Sequence, residues 1–433
     1  MEFVSDNITS KQGKLYFAGK DVVKLAEKYK TPLYLLDEDK IREKCRIYKA
    51  AFRRHFPEGS FPMYASKACS FKKIYTIISE EGLGIDVVSP GEIYTAVQAG
   101  FDMGNAFFQG NNKTDEDIEF AVKHKVGYFV ADNIEELRSI DRIAGEYGIC
   151  QKILLRLTPG IDTHTYEADQ TGRIDSKFGV SIETGQAEKL TEYTLSLKNI
   201  SLSGFQCHIG SQVFEEDVFE RAAVIMLEFM ARIKEKTGYE AEYLDLGGGY
   251  GVRYVNTDPY LNIETKIGDV AAAVRAACTR LDIDVPKILM EPGRSIVADA
   301  GMTVYTVGTI KDIPGYKSYV SIDGGMTDNP RFALYGAAYT CIAAGKTDEE
   351  CDKEFSVVGR CCESGDIIQE KVMLPHSMCR GDILAVCTTG AYNYSMASNY
   401  NRIPRPPIVM IKEGEDYPAV RRETLDDICL NDL

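Results

Sequence analysis

The chain has 433 residues, which is too long for one ordinary hydrophobic core and predicts two domains. Its net charge of −15 argues against nucleic acid or an anionic membrane surface as the main partner. No apolar run approaches the roughly 20 residues that a membrane span needs. The N-terminus also lacks the basic and then apolar pattern of a secretory signal, so we expect a cytoplasmic protein.

The 12 cysteines show neither C-x-x-C spacing nor a histidine at zinc-ligand distance from a cysteine pair. This spacing predicts free thiols in a reducing compartment and no metal site. Cys361 and Cys362 are adjacent in a polar, Gly-containing turn, where a thiol would be reactive rather than packed.

From Phe61 onward, apolar runs of four to eight residues alternate with segments of helical period. Runs of this kind, each followed by a helix, indicate parallel strands that are buried on both faces. The runs end at Lys67, Ser89, Gly110, Asp132, Pro159, Gly210, Gly249 and Gly293. Eight such units predict a (β/α)8 TIM barrel, to which we assign residues 36–300. The alternative is a doubly wound open sheet, but no G-x-G-x-x-G turn follows the first run.

After Gly301 the sequence becomes β-rich, with short strand-like runs separated by Gly, Pro and Asp turns. This pattern predicts a second, antiparallel domain of barrel or sandwich type, to which we assign residues 301–433 and also 1–35. The predicted strands are Met302–Val307, Ser318–Ile322, Phe355–Val358, Ile383–Val386 and Ile408–Ile411, joined by early runs at 14–18 and 31–36.

In a TIM barrel the active site lies at the C-terminal ends of the strands, so the residues that end the eight runs should converge. They are Lys67, Asp86, Glu92, Arg156, His208, Gly247, Gly248, Gly249, Glu291, Pro292, Gly293 and Arg294. Lys67 is either an edge-strand lysine that reaches solvent or an amine held for Schiff-base chemistry.

The glycines Gly247 to Gly249 follow the seventh run, at a place where such barrels frequently bind phosphate through backbone N–H groups. Glu291 is either a buried partner of Arg294 or Arg156, or an acceptor for a protonated ring nitrogen. A Schiff-base lysine, an acidic ring partner and a phosphate loop together describe a pyridoxal 5′-phosphate site.

Further residues fit that site. His208, unless it is a satisfied core residue, would stack on the cofactor ring, and Ser211 would reach the phosphate. Arg331 and Tyr335 are four residues apart and share a face if the segment is helical. Arg294 and Arg331 would bind a substrate carboxylate, or alternatively form surface salt bridges.

Eight stretches carry a resemblance to a known family in their order and spacing: Tyr64–Ala68, Asp175–Gly179, His208–Gln212, Asp245–Gly249, Glu291–Ser295, Asp323–Met326, Cys362–Asp366 and Gly390–Tyr392. Over nearly its whole length the chain resembles the diaminopimelate decarboxylase family, which has an alanine racemase-like fold. The chain departs from the family pattern at Cys69 and at His164–Tyr166, and it has an additional cysteine at Cys361.

The resemblance implies a role for each matching residue. Lys67 would carry the cofactor, His208 would stack on it and Glu291 would pair with its ring nitrogen. The phosphate region would be held by Gly247, Gly248, Gly249, Ser211, Gly293, Arg294 and Tyr392. The substrate would contact Arg294, Arg331, Tyr335, Glu363 and Tyr392, and Cys362 would help to protonate the reacting carbon. The Cys362-Glu363 loop would complete the site of a neighbouring subunit, which implies a homodimer with shared active sites.

The implied activity is decarboxylation of meso-2,6-diaminopimelate to L-lysine and CO2, the last step of lysine biosynthesis. One alternative is a related decarboxylase that acts on D-ornithine, D-lysine or another basic amino acid. A racemase on the same barrel is a second alternative, although it would need two opposed bases rather than a Cys-Glu pair. A non-catalytic cofactor-binding protein is the third, and it would not need Cys362 or Arg331.

Overall fold

The computed structural model describes residues 3–161 and 176–433 of the chain. His164–Tyr166, where the sequence departs from the family pattern, and Asp175 of the Asp175–Gly179 stretch lie outside the described residues. The chain divides into two compact units. The barrel unit comprises residues 44–251 and 261–295, and the β-rich unit comprises residues 1–43, 252–260 and 296–433.

Eight parallel strands form the barrel unit, and the predicted (β/α)8 fold is confirmed. The last strand pairs with the first, through Leu289 opposite Phe61, and this pairing closes the sheet. In chain order the strands are Phe61–Ala65, Gly84–Val87, Ala106–Phe108, Tyr128–Ala131, Gln151–Thr158, Ile200–Gln206, Tyr243–Asp245 and Lys287–Met290. A short strand, Val180–Ser181, pairs in parallel with the fifth of them.

The helices that alternate with these strands bury one apolar face, and several of them begin at a polar side-chain cap. Thr114 and Asp117 form a capping box at the start of Asp115–Lys123, as the acidic first turn predicts. In Ile134–Glu146 the buried Leu137 and Ile140 are spaced by one turn. The remaining helices are Lys72–Glu81, Pro90–Gln98, Gln186–Leu195, Val218–Thr237 and Ile263–Leu281, while Glu38–His55 and Arg294–Val297 each cross a boundary between the units.

An apolar layer inside the barrel determines where the polar side chains lie. Its buried members are Met63, Phe107, Val130, Leu154, Tyr243 and Leu289. Side chains alternate between the two faces of a strand, so the residue two positions later also faces the interior, one layer closer to the C-terminal end. For five of these strands that later residue is polar: Gln109, Asp132, Arg156, Asp245 and Glu291. The sequence therefore places an apolar layer beneath a polar one.

Lys113 and Glu136 form a buried ion pair outside this layer. The Lys113 ammonium donates to the Glu136 carboxylate at 2.7 Å and to the carbonyl oxygens of Gly110 and Val130 at 2.9 and 2.8 Å. The two side chains are only 2% and 3% exposed. Each of the three ammonium protons thus has an acceptor, which indicates a structural role.

Lys113→Met is expected to lower the free energy of unfolding by about 3–5 kcal/mol, because Glu136 would remain buried without its cation. Urea unfolding of the cofactor-free protein measures this change. The double variant Lys113→Met/Glu136→Leu removes both charges and should recover most of the loss. A loss below about 1 kcal/mol in the single variant would contradict the structural role.

The β-rich unit is built around the long strand Gly301–Ile313. This strand pairs antiparallel with Leu33–Asp37, Lys317–Ile322 and Ile383–Cys387. The other strands are Cys341–Ala343, Lys353–Val358, Ile367–Leu374, Ile408–Lys412 and Glu415–Val420. The predicted antiparallel domain is confirmed, with two parallel pairings within it, Lys317–Ile322 with Lys353–Val358 and Leu33–Asp37 with Ile408–Lys412.

The early runs differ in their partners. Leu33–Asp37 lies inside the large sheet, whereas Lys14–Phe17 pairs with Ile8–Lys11 and Lys20–Asp21 in a separate three-stranded sheet. The helices of this unit include Val22–Tyr29, Arg331–Tyr335 and Leu425–Cys429. Within residues 3–161 and 176–433, no helix is both long and apolar enough to cross a membrane.

Candidate active site

Lys67 lies in a single turn of 3-10 helix, Ser66–Ala68, directly after the first barrel strand. Its two neighbours in that turn are buried, whereas Lys67 itself is exposed. The interpretation of Lys67 as an edge-strand lysine is wrong, because the barrel sheet is closed and the lysine follows the strand rather than lying within it. The turn therefore places a primary amine at the C-terminal end of the barrel.

Charged groups from several strands surround this amine. The Asp86 carboxyl is buried, and burial together with nearby Glu291 raises its pKa to about 7, against the opposing effect of Lys67 and Arg156. The positive charges of Lys67 and Arg156 also act to lower the pKa of His208 and that of Glu291. The side chains at these strand ends therefore lie close enough to affect one another, as predicted.

Glu291 is buried at the end of the eighth strand and is held by two amide side chains. The Gln109 side chain donates to Oε1, and the Gln206 side chain donates to Oε1 and Oε2 at 3.2 and 3.4 Å. The nearby Arg156 charge acts to lower the pKa of this carboxyl. Neither glutamine was predicted from the sequence as a site residue.

Asp245 forms a carboxyl pair with Glu291. Each carboxyl group acts on the pKa of the other, and Asp245 Oδ1 accepts from the Gly247 N–H at 2.9 Å. Burial raises the pKa of Asp245 to about 6, and burial and the Asp245 charge raise that of Glu291 well above its ordinary value. Two buried carboxyls that interact in this way cannot both ionise cheaply, which favours a proton on one of them.

Asp245→Asn is expected to stabilise the cofactor-free protein at pH 8 by about 1–3 kcal/mol, with little effect near pH 4. The Asp245 pKa is raised in the folded state, so the folded protein binds more protons than the unfolded chain between about pH 4 and 6 and loses stability as the pH rises. Urea unfolding at both pH values measures the difference. Equal effects at pH 4 and pH 8 would contradict the raised pKa of Asp245.

His208 follows the sixth strand, and its imidazole is neutral. Burial and the positive charges of Lys67 and Arg156 hold the pKa of His208 well below its ordinary value. Nδ1 accepts from the Gly248 N–H at 3.3 Å, so the ring proton is on Nε2. A neutral ring fixed in one tautomer is suited to lie against a flat cofactor.

The glycine loop is packed so closely that side chains are excluded. A Cβ at Gly248 would lie 2.2 Å from the Glu291 carbonyl oxygen, and one at Gly249 would lie 2.2 Å from that of Gly210. Gly247 also has φ +68°, in the left-handed region. Only glycine fits these positions, and backbone N–H groups in such a loop can approach an anion.

The arginine and serine of the predicted phosphate region lie together. Arg294 is buried, and its Nη2 donates to the Ser211 hydroxyl at 2.8 Å. A Cβ at Gly293 would lie 2.9 Å from the Cβ of Ala65, so this position also requires glycine. A glycine cradle, a hydroxyl and a guanidinium are groups that bind phosphate, and the residues present therefore fit the cofactor that the sequence predicts.

The remaining predicted residues lie in the β-rich unit. Arg331 and Tyr335 are the first and last residues of one short helix, so the condition under which they share a face is met. Tyr392 has φ +60°, and Cys362 and Glu363 are exposed. The Cys362 N–H donates to the Asn401 side chain at 2.8 Å, which orients the loop.

Cys361 differs from its neighbour. Its side chain is buried, burial and the nearby Asp366 raise the pKa of its thiol to about 11, and its N–H donates to Asp366 at 2.7 Å. Cys361 therefore anchors the loop and is not a reactive thiol, contrary to the expectation for the pair. In the described ranges, no group of three or more His, Cys, Asp or Glu side chains is arranged to hold a metal ion.

Known proteins share this architecture. Residues 38–298 match the family model for the pyridoxal-binding domain of pyridoxal-dependent decarboxylases. The chain is 44% identical to the diaminopimelate decarboxylase of Bacillus subtilis, covering 98% of this chain and 97% of the relative. It is 42% identical to that of Staphylococcus aureus, covering 98% of each.

Solved structures extend the comparison. The diaminopimelate decarboxylase of M. jannaschii in complex with L-lysine aligns with a TM-score of 0.91 and 32% identity, covering 100% of this chain and 99% of that one. A lysine/ornithine decarboxylase from Vibrio vulnificus in complex with cadaverine aligns with a TM-score of 0.76 and 25% identity, covering 90% and 98%.

Proposed function

The chain belongs to the pyridoxal-dependent decarboxylases, within them to the diaminopimelate decarboxylase family, and on this basis we propose that it converts meso-2,6-diaminopimelate to L-lysine and CO2. This carboxy-lyase reaction is the last step of lysine biosynthesis. The observation that carries the proposal is the convergence of Lys67, His208 and Glu291 at the C-terminal end of one barrel.

The proposed cofactor is pyridoxal 5′-phosphate, which when bound supplies an electron sink for the electrons left on the α-carbon by loss of CO2. Lys67 would hold it covalently through its amine. Glu291 would hold a proton at the ring nitrogen, and the two glutamine amides keep its carboxylate in place. The other proposed cofactor ligands are Asp86, Arg156, His208, Ser211, Gly247, Gly248, Gly249, Pro292, Gly293, Arg294 and Tyr392.

Substrate recognition is proposed to depend on arginine. Arg331 is 3% exposed, and in the described ranges no carboxylate pairs with it. A buried cation without an anion costs stability, so its retention supports a role in binding a carboxylate of the substrate. Arg294, Tyr335, Glu363 and Tyr392 are the other proposed substrate contacts. Cys362 is proposed to return a proton to the reacting carbon, for which its exposed thiol is accessible.

The homodimer with shared active sites and the cytoplasmic location stay predictions. The exposure of Cys362 and Glu363 supports the first, because a loop that completes a neighbouring site must be accessible before assembly. Sedimentation of the protein with and without the cofactor measures its oligomeric state, and a monomer that is fully active would contradict the shared site.

A comparison of substrates tests the proposed function against its alternatives. We expect kcat/KM for meso-diaminopimelate to exceed that for D-ornithine or D-lysine by about 10³-fold, since a site built around a buried arginine disfavours substrates without the distal carboxylate. A preference for D-ornithine or D-lysine would instead favour the alternative of a related decarboxylase. Racemisation of an amino acid without release of CO2 would identify a racemase.

A further inference from the structure

The surroundings of Arg331 contain two tyrosines that the proposed function does not use. The Arg331 guanidinium carbon lies 4.9 Å from the ring centre of Tyr254 and 5.6 Å from that of Tyr339. Its Nη1 donates to the Tyr339 hydroxyl at 2.8 Å. The two rings pack edge to face, with centres 5.4 Å apart and an interplanar angle of 85°. Each ring therefore restrains the other, and together they restrain the guanidinium.

The Tyr339 hydroxyl lies between one hydrogen-bond donor, Arg331, and one acceptor, Asn393. A guanidinium can only donate, so the Tyr339 hydroxyl accepts from Arg331 and must donate its own proton elsewhere. The Asn393 side-chain oxygen is 3.2 Å from that hydroxyl and accepts it. Asn393 is fully buried, so the chain of hydrogen bonds ends away from solvent. The orientation of Arg331 is thus set by a buried amide through the tyrosine hydroxyl.

This arrangement leaves one side of the guanidinium for a ligand. Nη1 is occupied by Tyr339, and no acceptor within residues 3–161 and 176–433 bonds to Nε or Nη2. These two donors form an edge that matches a carboxylate in a bidentate pair. The aromatic faces supply no anion to neutralise the charge. Burial disfavours a cation in this position, yet in residues 3–161 and 176–433 no acidic side chain compensates it.

We propose that Tyr339 and Tyr254 are positioning residues that make the site selective for substrates with a distal carboxylate, by holding Arg331 with its Nε–Nη2 edge ready for that group. The inference rests on the proposed function, since it assigns the means by which the same site distinguishes an amino-dicarboxylate from a diamine or a simple basic amino acid.

Tyr339→Phe tests the inference, because it removes the hydroxyl and keeps the ring. We expect KM for meso-diaminopimelate to rise about tenfold, as for the loss of one hydrogen bond to a charged group, with kcat and cofactor affinity nearly unchanged. Inhibition by L-lysine, which retains a carboxylate, should weaken by a similar factor. Inhibition by cadaverine, which has no carboxylate, should not change.

The matched control is Tyr319→Phe, which removes a hydroxyl from a half-buried tyrosine in the strand Lys317–Ile322 of the same unit. It should leave KM, kcat, cofactor affinity and inhibition by both L-lysine and cadaverine as in the wild type. A second variant, Tyr254→Leu, removes one aromatic face and should show the same selective loss of L-lysine inhibition. It keeps the inference testable if Tyr339→Phe does not fold.

The outcomes separate this inference from the proposed function. Suppose that the wild type is active. If Tyr339→Phe or Tyr254→Leu then weakens inhibition by cadaverine and by L-lysine equally, or leaves KM unchanged, the positioning role alone is overturned. A wild type that binds the cofactor but does not decarboxylate meso-diaminopimelate would overturn the proposed function, and the inference with it.

Discussion

Lys67→Ala is expected to abolish covalent attachment of pyridoxal phosphate and to reduce decarboxylation by about 10⁴-fold or more. Covalent attachment needs an amine that can lose its proton, and the turn Ser66–Ala68 presents that amine where the charges of the barrel converge. Lys113 cannot replace it, because its three ammonium protons are all bonded within the barrel.

Mass spectrometry after borohydride reduction measures the attachment directly. In the wild type the peptide that contains Lys67 should carry the cofactor mass, and in Lys67→Ala no peptide should carry it. Lys72→Ala is the matched control, since Lys72 is exposed in the next helix and should have no effect. Retention of a borohydride-stable cofactor in Lys67→Ala would show that another lysine forms the bond.

Glu291→Gln is the second substitution with a large expected effect. It keeps the shape of the side chain but removes the charge, and we expect kcat to fall by about 10²–10³-fold while the cofactor stays attached to Lys67. The buried carboxylate is held by Gln109 and Gln206 and is made more basic by Asp245, which suits it to hold a proton at the ring nitrogen.

The matched control is Glu242→Gln, which changes an exposed glutamate that directly precedes the seventh barrel strand and pairs with Lys287 at 2.7 Å. Absorption spectra of both variants with added cofactor, followed by steady-state kinetics, separate cofactor binding from turnover. A Glu291→Gln variant that kept more than about a third of the wild-type kcat would contradict the assigned role.

The alternation of short apolar runs with segments of helical period was sufficient to predict the barrel. Each strand is a short apolar run followed by a helical segment, and the strand ends can be located without knowledge of tertiary contacts. Lys67, Asp86, Arg156, His208 and Glu291 were predicted for this reason. That Arg331 and Tyr335 share a face was predicted only on the condition that their segment is helical, and the structure has a helix there.

The missed residues fall into two classes. Gln109, Gln206 and Asp245 lie on the interior face of their strands, and the period of two from Phe107 and Tyr243 would have found Gln109 and Asp245. No periodicity in the sequence indicates Tyr254 or Tyr339. They are 85 residues apart, and only the fold of the β-rich unit brings their rings together. The burial of Cys361 next to an exposed Cys362 likewise depends on Asp366, which sequence spacing does not reveal.

Product analysis is the measurement that tests the central claim most directly. Purified protein is incubated with meso-diaminopimelate, with and without pyridoxal phosphate, and CO2 and L-lysine are both quantified. The account predicts equal molar amounts of the two products that depend on the added cofactor and are lost in Lys67→Ala. If the protein binds the cofactor but forms neither L-lysine nor CO2, or if Lys67→Ala forms them equally well, the proposed function of Lys67 and of the site is contradicted.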